Sequence, residues 1–139
     1  DTPFSFEFTM GGYWLFNHRY NVIGANNNET EIKKTMLLTA NEMLGVWTDI
    51  LVHVNWSSNE EEGIFRVYLN GGTDPAYSWI GSTKAHNAKP YFKYGIYRRP
   101  AYKVIPAIPT QVAYFDEIYA WNKCPEVLST FDCSVISEY

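Results

Sequence analysis

Cysteine is scarce in this 139-residue chain: Cys124 and Cys133 are the only two, both in the closing stretch KCPEVLSTFDC. Histidine is scarce too, with three residues, His18, His53 and His86, and none lies near the cysteines. Zinc modules need several such ligands at fixed spacing, so no metal site emerges, and a local Cys124–Cys133 disulfide is the better reading. Long apolar runs are absent, and DTPFSFEF carries no signal-peptide pattern, so a soluble chain without a membrane partner is expected. Charged residues reach only 19% against 46% hydrophobic, which excludes a disordered chain and suits one hydrophobic core. There is no repeat, low-complexity tract or linker. One domain is therefore expected over residues 1–121, followed by a cysteine-bearing tail at 122–139.

Aromatics are abundant at 17%, and their spacing is that of strands. In PFSFEFTM, Phe4, Phe6 and Phe8 alternate with Ser5, Glu7 and Thr9. A Gly-Gly turn at 11–12 leads into YWLFNHRY, and TDILVHVNW places Ile50, Val52, Val54 and Trp56 on one face. IFRVYLNGG follows the charged turn SSNEEEG, and KPYFKYGIYRRP and TQVAYFDEIYAW supply two further strands. KKTMLLTANEMLG fits either a strand or a short helix ending at Gly45. About eight strand candidates separated by turn signals predict an all-β fold, an antiparallel β-sandwich. Two sequons, Asn28 in NET and Asn55 in NWS, mark candidate glycosylation sites. With the cysteine pair they point to a secreted, extracellular glycoprotein.

Acidic residues are missing from one long window. No Asp or Glu occurs from Pro75 to Phe115, whereas Lys84, Lys89, Lys93, Arg98, Arg99 and Lys103, six of the eleven Lys and Arg, fall inside it. The net charge is −4, yet such a segment makes a local positive field able to hold an anionic ligand. A basic edge strand that blocks aggregation is the competing explanation. Spacing favours the ligand. On a strand, Tyr91, Lys93, Gly95, Tyr97 and Arg99 share one face, and Phe92, Tyr94 and Ile96 the other. Glycine in mid-strand costs stability and marks a place where a ligand approaches the backbone.

That face can carry out a proton transfer. A phenol beside a lysine and an arginine loses its proton more readily, because positive charge stabilises the phenolate. In a uronate polymer the C5 proton lies beside a carboxylate, and removing it builds charge there that a cation must neutralise. Tyr97 fits the role of base and then acid, and Lys93 that of carboxylate partner. Tyr91, Lys89, Arg98 and Arg99 are candidates for substrate binding. His86 in TKAHNAKP, and His18 and Arg19 in LFNHRY, are further binding candidates. His18 and Arg19 alternate, so only one of them faces a cleft. His53 shares its face with Asn55 and is expected to be an ordinary surface residue.

The stretch YFKYGIYR resembles the signature strand of the β-jelly-roll polysaccharide lyases, which in alginate lyases reads YFKAGxYxQ. The order WTDILVHVNWS, GIFRVYLNGG, YFKYGIYR, VAYFDEIYAW is most similar to the heparin lyase I and glucuronan lyase group. This likeness spans about residues 46–121. It implies a jelly-roll, concanavalin-like sandwich, β-elimination on an acidic polysaccharide, and Lys93 and Tyr97 as catalytic residues. The Gln-x-His strand usual in the family is not visible. The expectation is therefore a sandwich incomplete at the N-terminus, either completed by a second chain or lacking full activity. The competing function is a non-catalytic, lectin-like sandwich binding anionic glycans. Glycoside hydrolysis is disfavoured, because NEEEG reads as a turn and Asp116 and Glu117 of FDEIY alternate to opposite faces. Nucleic acid is not an expected partner, since the basic window carries no recognition motif. No cofactor is expected, a structural calcium at a loop such as NGGTD being the one alternative.

Overall fold

FSFEF, where apolar and polar residues alternate, and the aromatic and β-branched stretches YWLFNHRYN and TEIKKTMLLT form the first three strands, β1 (Phe4–Phe8), β2 (Tyr13–Asn21) and β3 (Thr30–Thr39). The computed structural model describes residues 3–8, 13–21, 30–85, 88–96, 110, 112–123 and 130–136. The three strands pair antiparallel in the order β1-β2-β3, with Phe6 opposite Phe16 and Phe4 opposite His18. A second antiparallel sheet contains β4 (Ile50–Asn55), β5 (Ile64–Leu69) and β6 (Tyr77–Ile80), in that order. The all-β sandwich expected from the alternation is present.

The inward faces meet through aromatic rings. Phe16 of the first sheet lies 5.2 Å from Phe65 and 4.7 Å from Tyr77 of the second, centroid to centroid. Phe4, Phe6 and Leu37 pack from one side, and Val52, Val54, Trp56, Leu69 and Trp79 from the other. Each such side chain removed from water contributes on the order of 1.5–3 kcal/mol, which makes this contact the main force holding the sheets together. Phe8 shares the face of Phe4 and Phe6 yet is 68% exposed, outside the core cluster that they pack against, and stacks on Trp14.

The register between β2 and β3 shifts at Trp14/Leu15, so that Trp14 faces Leu38 while Leu15 faces Met36. The extra residue at this bulge is Leu37, which packs against the core. The ambiguous stretch KKTMLLTANEMLG resolves as both alternatives: the strand runs to Thr39 and a single turn, α1 (Ala40–Met43), follows. Thr39 starts that turn, its backbone N–H and its hydroxyl both donating to the Glu42 carboxylate at 2.7 Å. These bonds hold the Glu42 carboxyl below its ordinary range.

On the outer face of the second sheet, Leu51 and Tyr68 are covered by Phe131 of the tail. A short helix, α2 (Cys133–Ile136), follows, with Asp132 accepting hydrogen bonds from the Ser134 backbone and hydroxyl. Cys133 is not a free thiol, and Cys124, its expected partner, lies outside the described residues.

Gly63 and Gly81 cross at the ends of β5 and β6, where the Gly81 N–H donates to the Gly63 carbonyl at 2.9 Å. A Cβ at position 63 would collide with the Gly81 carbonyl oxygen, which is backbone and cannot swing aside. Gly63→Ala should therefore destabilise the fold by about 1–3 kcal/mol. A lower denaturant midpoint at unchanged m is the expected result.

Residues 91–123 form a separate compact unit. The two strands expected over 89–100 and 110–121 are not formed among the described residues there. Strand periodicity sets which side chains alternate, whereas a strand also requires a backbone ladder partner. Ring contacts are formed instead: Phe92 stacks on Tyr94, Tyr94 lies 5.6 Å from Phe115, and Tyr119 stacks on Trp121. The Glu117 N–H donates to the Asp116 carboxylate at 2.8 Å and Glu117 adopts φ 47°, a backbone angle outside the extended range of a strand.

Candidate active site

The segment Tyr91–Ile96 keeps the alternation of its sequence without a ladder. Lys93 Nζ lies 4.8 Å from the centre of the Tyr91 ring, while Phe92 and Tyr94 stack on each other at 6.1 Å. The paired contacts at i and i+2 follow the two faces expected from the sequence. An exposed ammonium over a phenol ring gains about 0.5–1 kcal/mol, enough to bias the long lysine side chain towards one position. The result is an exposed cation beside a flat aromatic surface. Such a pair offers charge to a carboxylate and a stacking face to a sugar ring.

Gly95 adopts φ 134°, and a Cβ there would meet nothing within 4 Å. The backbone angle, not crowding, is what excludes other residues at this position. Of the other candidates, Lys89 is exposed. Tyr97, Arg98, Arg99 and His86 lie outside the described residues, as does Asn28.

His18 is placed in the interior rather than on an open face. Its ring is fully buried, 5.3 Å from both Phe65 and Trp79, and its Nδ1 is 2.8 Å from the Tyr77 hydroxyl. As placed, it packs and bonds within the core instead of presenting a surface to substrate. The backbone of Arg19, next along β2, pairs with Ile32 of β3. His53 is half-buried rather than an ordinary surface residue. It sits opposite Arg66 across β4 and β5. Burial first, and then the Arg66 charge, lower its pKa. Asn55 is exposed at the end of β4, and its side-chain amide donates to the Glu62 carbonyl at 2.8 Å.

Two polar groupings were not singled out from the sequence. One joins His18, Tyr77 and Lys33; the inward phase of His18, two residues from Phe16, is the signal that marks it. The other is on the opposite face of β2, where buried Asn17 donates to the Glu7 carboxylate at 2.8 Å and to Ser5 Oγ at 3.4 Å. The NGGTD loop uses Asn70 structurally, its Oδ1 accepting the Asp49 N–H at 3.0 Å. Among the described residues no three His, Cys, Asp or Glu side chains gather as metal ligands. Among them, too, no helix is long and apolar enough to cross a membrane.

Comparison with curated proteins and with solved structures returns no match. Comparison with family models does. The model described as polysaccharide lyase matches residues 2–119, a span that contains both sheets and the Lys93 segment. A polysaccharide is thus the substrate class, and the chain belongs to the polysaccharide lyase family.

Proposed function

We propose that the protein cleaves an acidic, uronate-containing polysaccharide by β-elimination, in the manner of the heparin lyase I and glucuronan lyase group. The observation that carries this reading is the Lys93 ammonium seated over Tyr91, two residues before Gly95 and four before Tyr97. Lys93 neutralises the substrate carboxylate. The Tyr97 phenolate takes the C5 proton, and the electron pair of the broken C5–H bond forms a C4=C5 double bond. The C4–O glycosidic bond breaks, and the leaving oxygen receives the proton back from the Tyr97 hydroxyl. One tyrosine serves both ends because proton and leaving group depart from the same side. Tyr91, Lys89, Arg98 and Arg99 bind flanking sugar units through stacking and charge. The reaction so written needs no cofactor.

The proposal extends to an extracellular setting, with Asn28 and Asn55 as glycan acceptors and a Cys124–Cys133 disulfide closing the tail. An intact mass under non-reducing conditions, with and without deglycosylation, checks both modifications.

The test of the function is ultraviolet absorbance of unsaturated uronate, measured on glucuronan, heparan sulfate, alginate and hyaluronan. The native chain should produce absorbance on at least one polymer, and Tyr97→Phe should lose it by about 10²–10⁴-fold, the worth of a general acid–base group. Binding without absorbance on every polymer would replace the lyase reading with that of a lectin-like module.

A further inference from the structure

Among the described residues, His18 is a buried imidazole in the sandwich that the proposed reaction does not use. We propose that His18, Tyr77 and Lys33 form an acid-sensitive latch that holds the edges of the two sheets together. The geometry carries the argument. His18 belongs to β2 and shares its inward phase with Phe16, directly opposite Lys33 on β3. Its Nδ1 meets the hydroxyl of Tyr77, which belongs to β6 in the other sheet. Lys33 reaches across as well, with Nζ 5.5 Å from the ring centres of both Tyr77 and Trp79. Among the described residues β3 and β6 are each the last strand of their sheet, so these contacts close one edge of the sandwich there.

The latch holds while the imidazole is neutral. Its surroundings are aromatic, with Phe16, Phe65, Tyr77 and Trp79 around the ring. Among the described residues the titratable groups facing it are Lys33 from β3 and Tyr77 from β6; β1 and β5 present Phe4 and Phe65. No carboxylate among them offsets a second positive charge. A proton on His18 is therefore opposed twice, by loss of hydration and by repulsion from Lys33.

Burial first, and Lys33 second, lower the His18 pKa from 6.5 to about 4. Once the edge opens, the imidazole regains water and its ordinary affinity for protons. The open form therefore binds more protons, and the closed edge is at full strength above pH 6.5 and weakens as pH falls towards 4. Linkage gives an increase of about 70-fold in the open population between pH 7.5 and 4.5.

Hydrogen exchange across that pH range, corrected for intrinsic rates, tests the latch on the full chain. In the native protein, protection in β3 and β6 should fall by roughly 70-fold, while β1 and β4 lose far less. His18→Gln should reduce the fall at β3 and β6 to under about 3-fold, because no group titrates there. Lys33→Met should give an intermediate fall, since one of the two causes of opposition is gone. Equal loss across the six described strands, or an unchanged fall in His18→Gln, would overturn the latch. Should His18→Gln fail to fold, the native imidazole can be titrated directly by NMR. A midpoint near 4 supports the latch and one above about 6 overturns it.

Discussion

Lys93→Met should lower kcat on the cleaved polymer by about 10²–10³-fold while KM changes little. The reason is where charge develops. In the proposed elimination the substrate carboxylate carries one negative charge when it binds, and removal of the C5 proton adds a second share to it. A cation at this position is therefore worth more in the transition state than in the ground state, and its loss appears in kcat. Methionine is the informative replacement because it retains a long apolar stem and a favourable sulfur contact with the Tyr91 ring. Shape is kept and charge is removed. Lys93 lies in a segment whose rings are mostly exposed, so the substitution should leave the denaturant midpoint of the sandwich unchanged within about 0.5 kcal/mol. A raised KM with native kcat would make Lys93 a simple binding residue. Native values for both would move the chemistry to other side chains.

The second large effect concerns the fold. Phe65→Ala should cost about 3–5 kcal/mol of stability, read as a fall in the denaturant midpoint. Phe65 is fully buried on β5 and has Phe4 at 5.0 Å, Phe16 at 5.2 Å and Trp56 at 6.0 Å, with His18 also in contact distance at 5.3 Å. Removing the ring leaves a cavity between two sheets whose backbones are held apart by the other aromatics, so collapse is incomplete. Against a usual total of about 5–15 kcal/mol, this one ring accounts for a large share. An effect below about 1 kcal/mol would mean that the sheets do not meet at this residue. Tyr114→Ala, at a side chain 79% exposed, is the matched control and should change stability by less than about 0.5 kcal/mol.

Both effects trace to features that differ in how far they can be read from residues alone. The inward set Phe4, Phe6, Phe16, Val52, Val54 and Trp56 follows from alternation, because side chains two apart on a strand must share a face. The Lys93–Tyr91 contact was legible for the same reason, and it forms even without a ladder. Tyr97 and Arg99 continue the same periodic face in the sequence, Arg98 alternates to the other, and all three lie outside the described residues.

Alternation by itself determined the all-β class, the composition of the faces and the position of the Lys93 segment. Tertiary structure alone decided which faces are covered and which edges meet. His18 and Arg19 illustrate the limit: their sequence says that they point to opposite sides, and only the packing of the second sheet selects His18 for the interior. The bulge that brings Leu37 to the core, the covering of Tyr68 by Phe131, and the exposure of Phe8 are of the same kind. So is the absence of strands in the described parts of 89–100 and 110–121, where the side chains alternate but no backbone partner completes a ladder. The physical reason is common to all of them. Periodicity is a property of one segment, whereas burial and pairing depend on a second segment that comes from elsewhere in the chain.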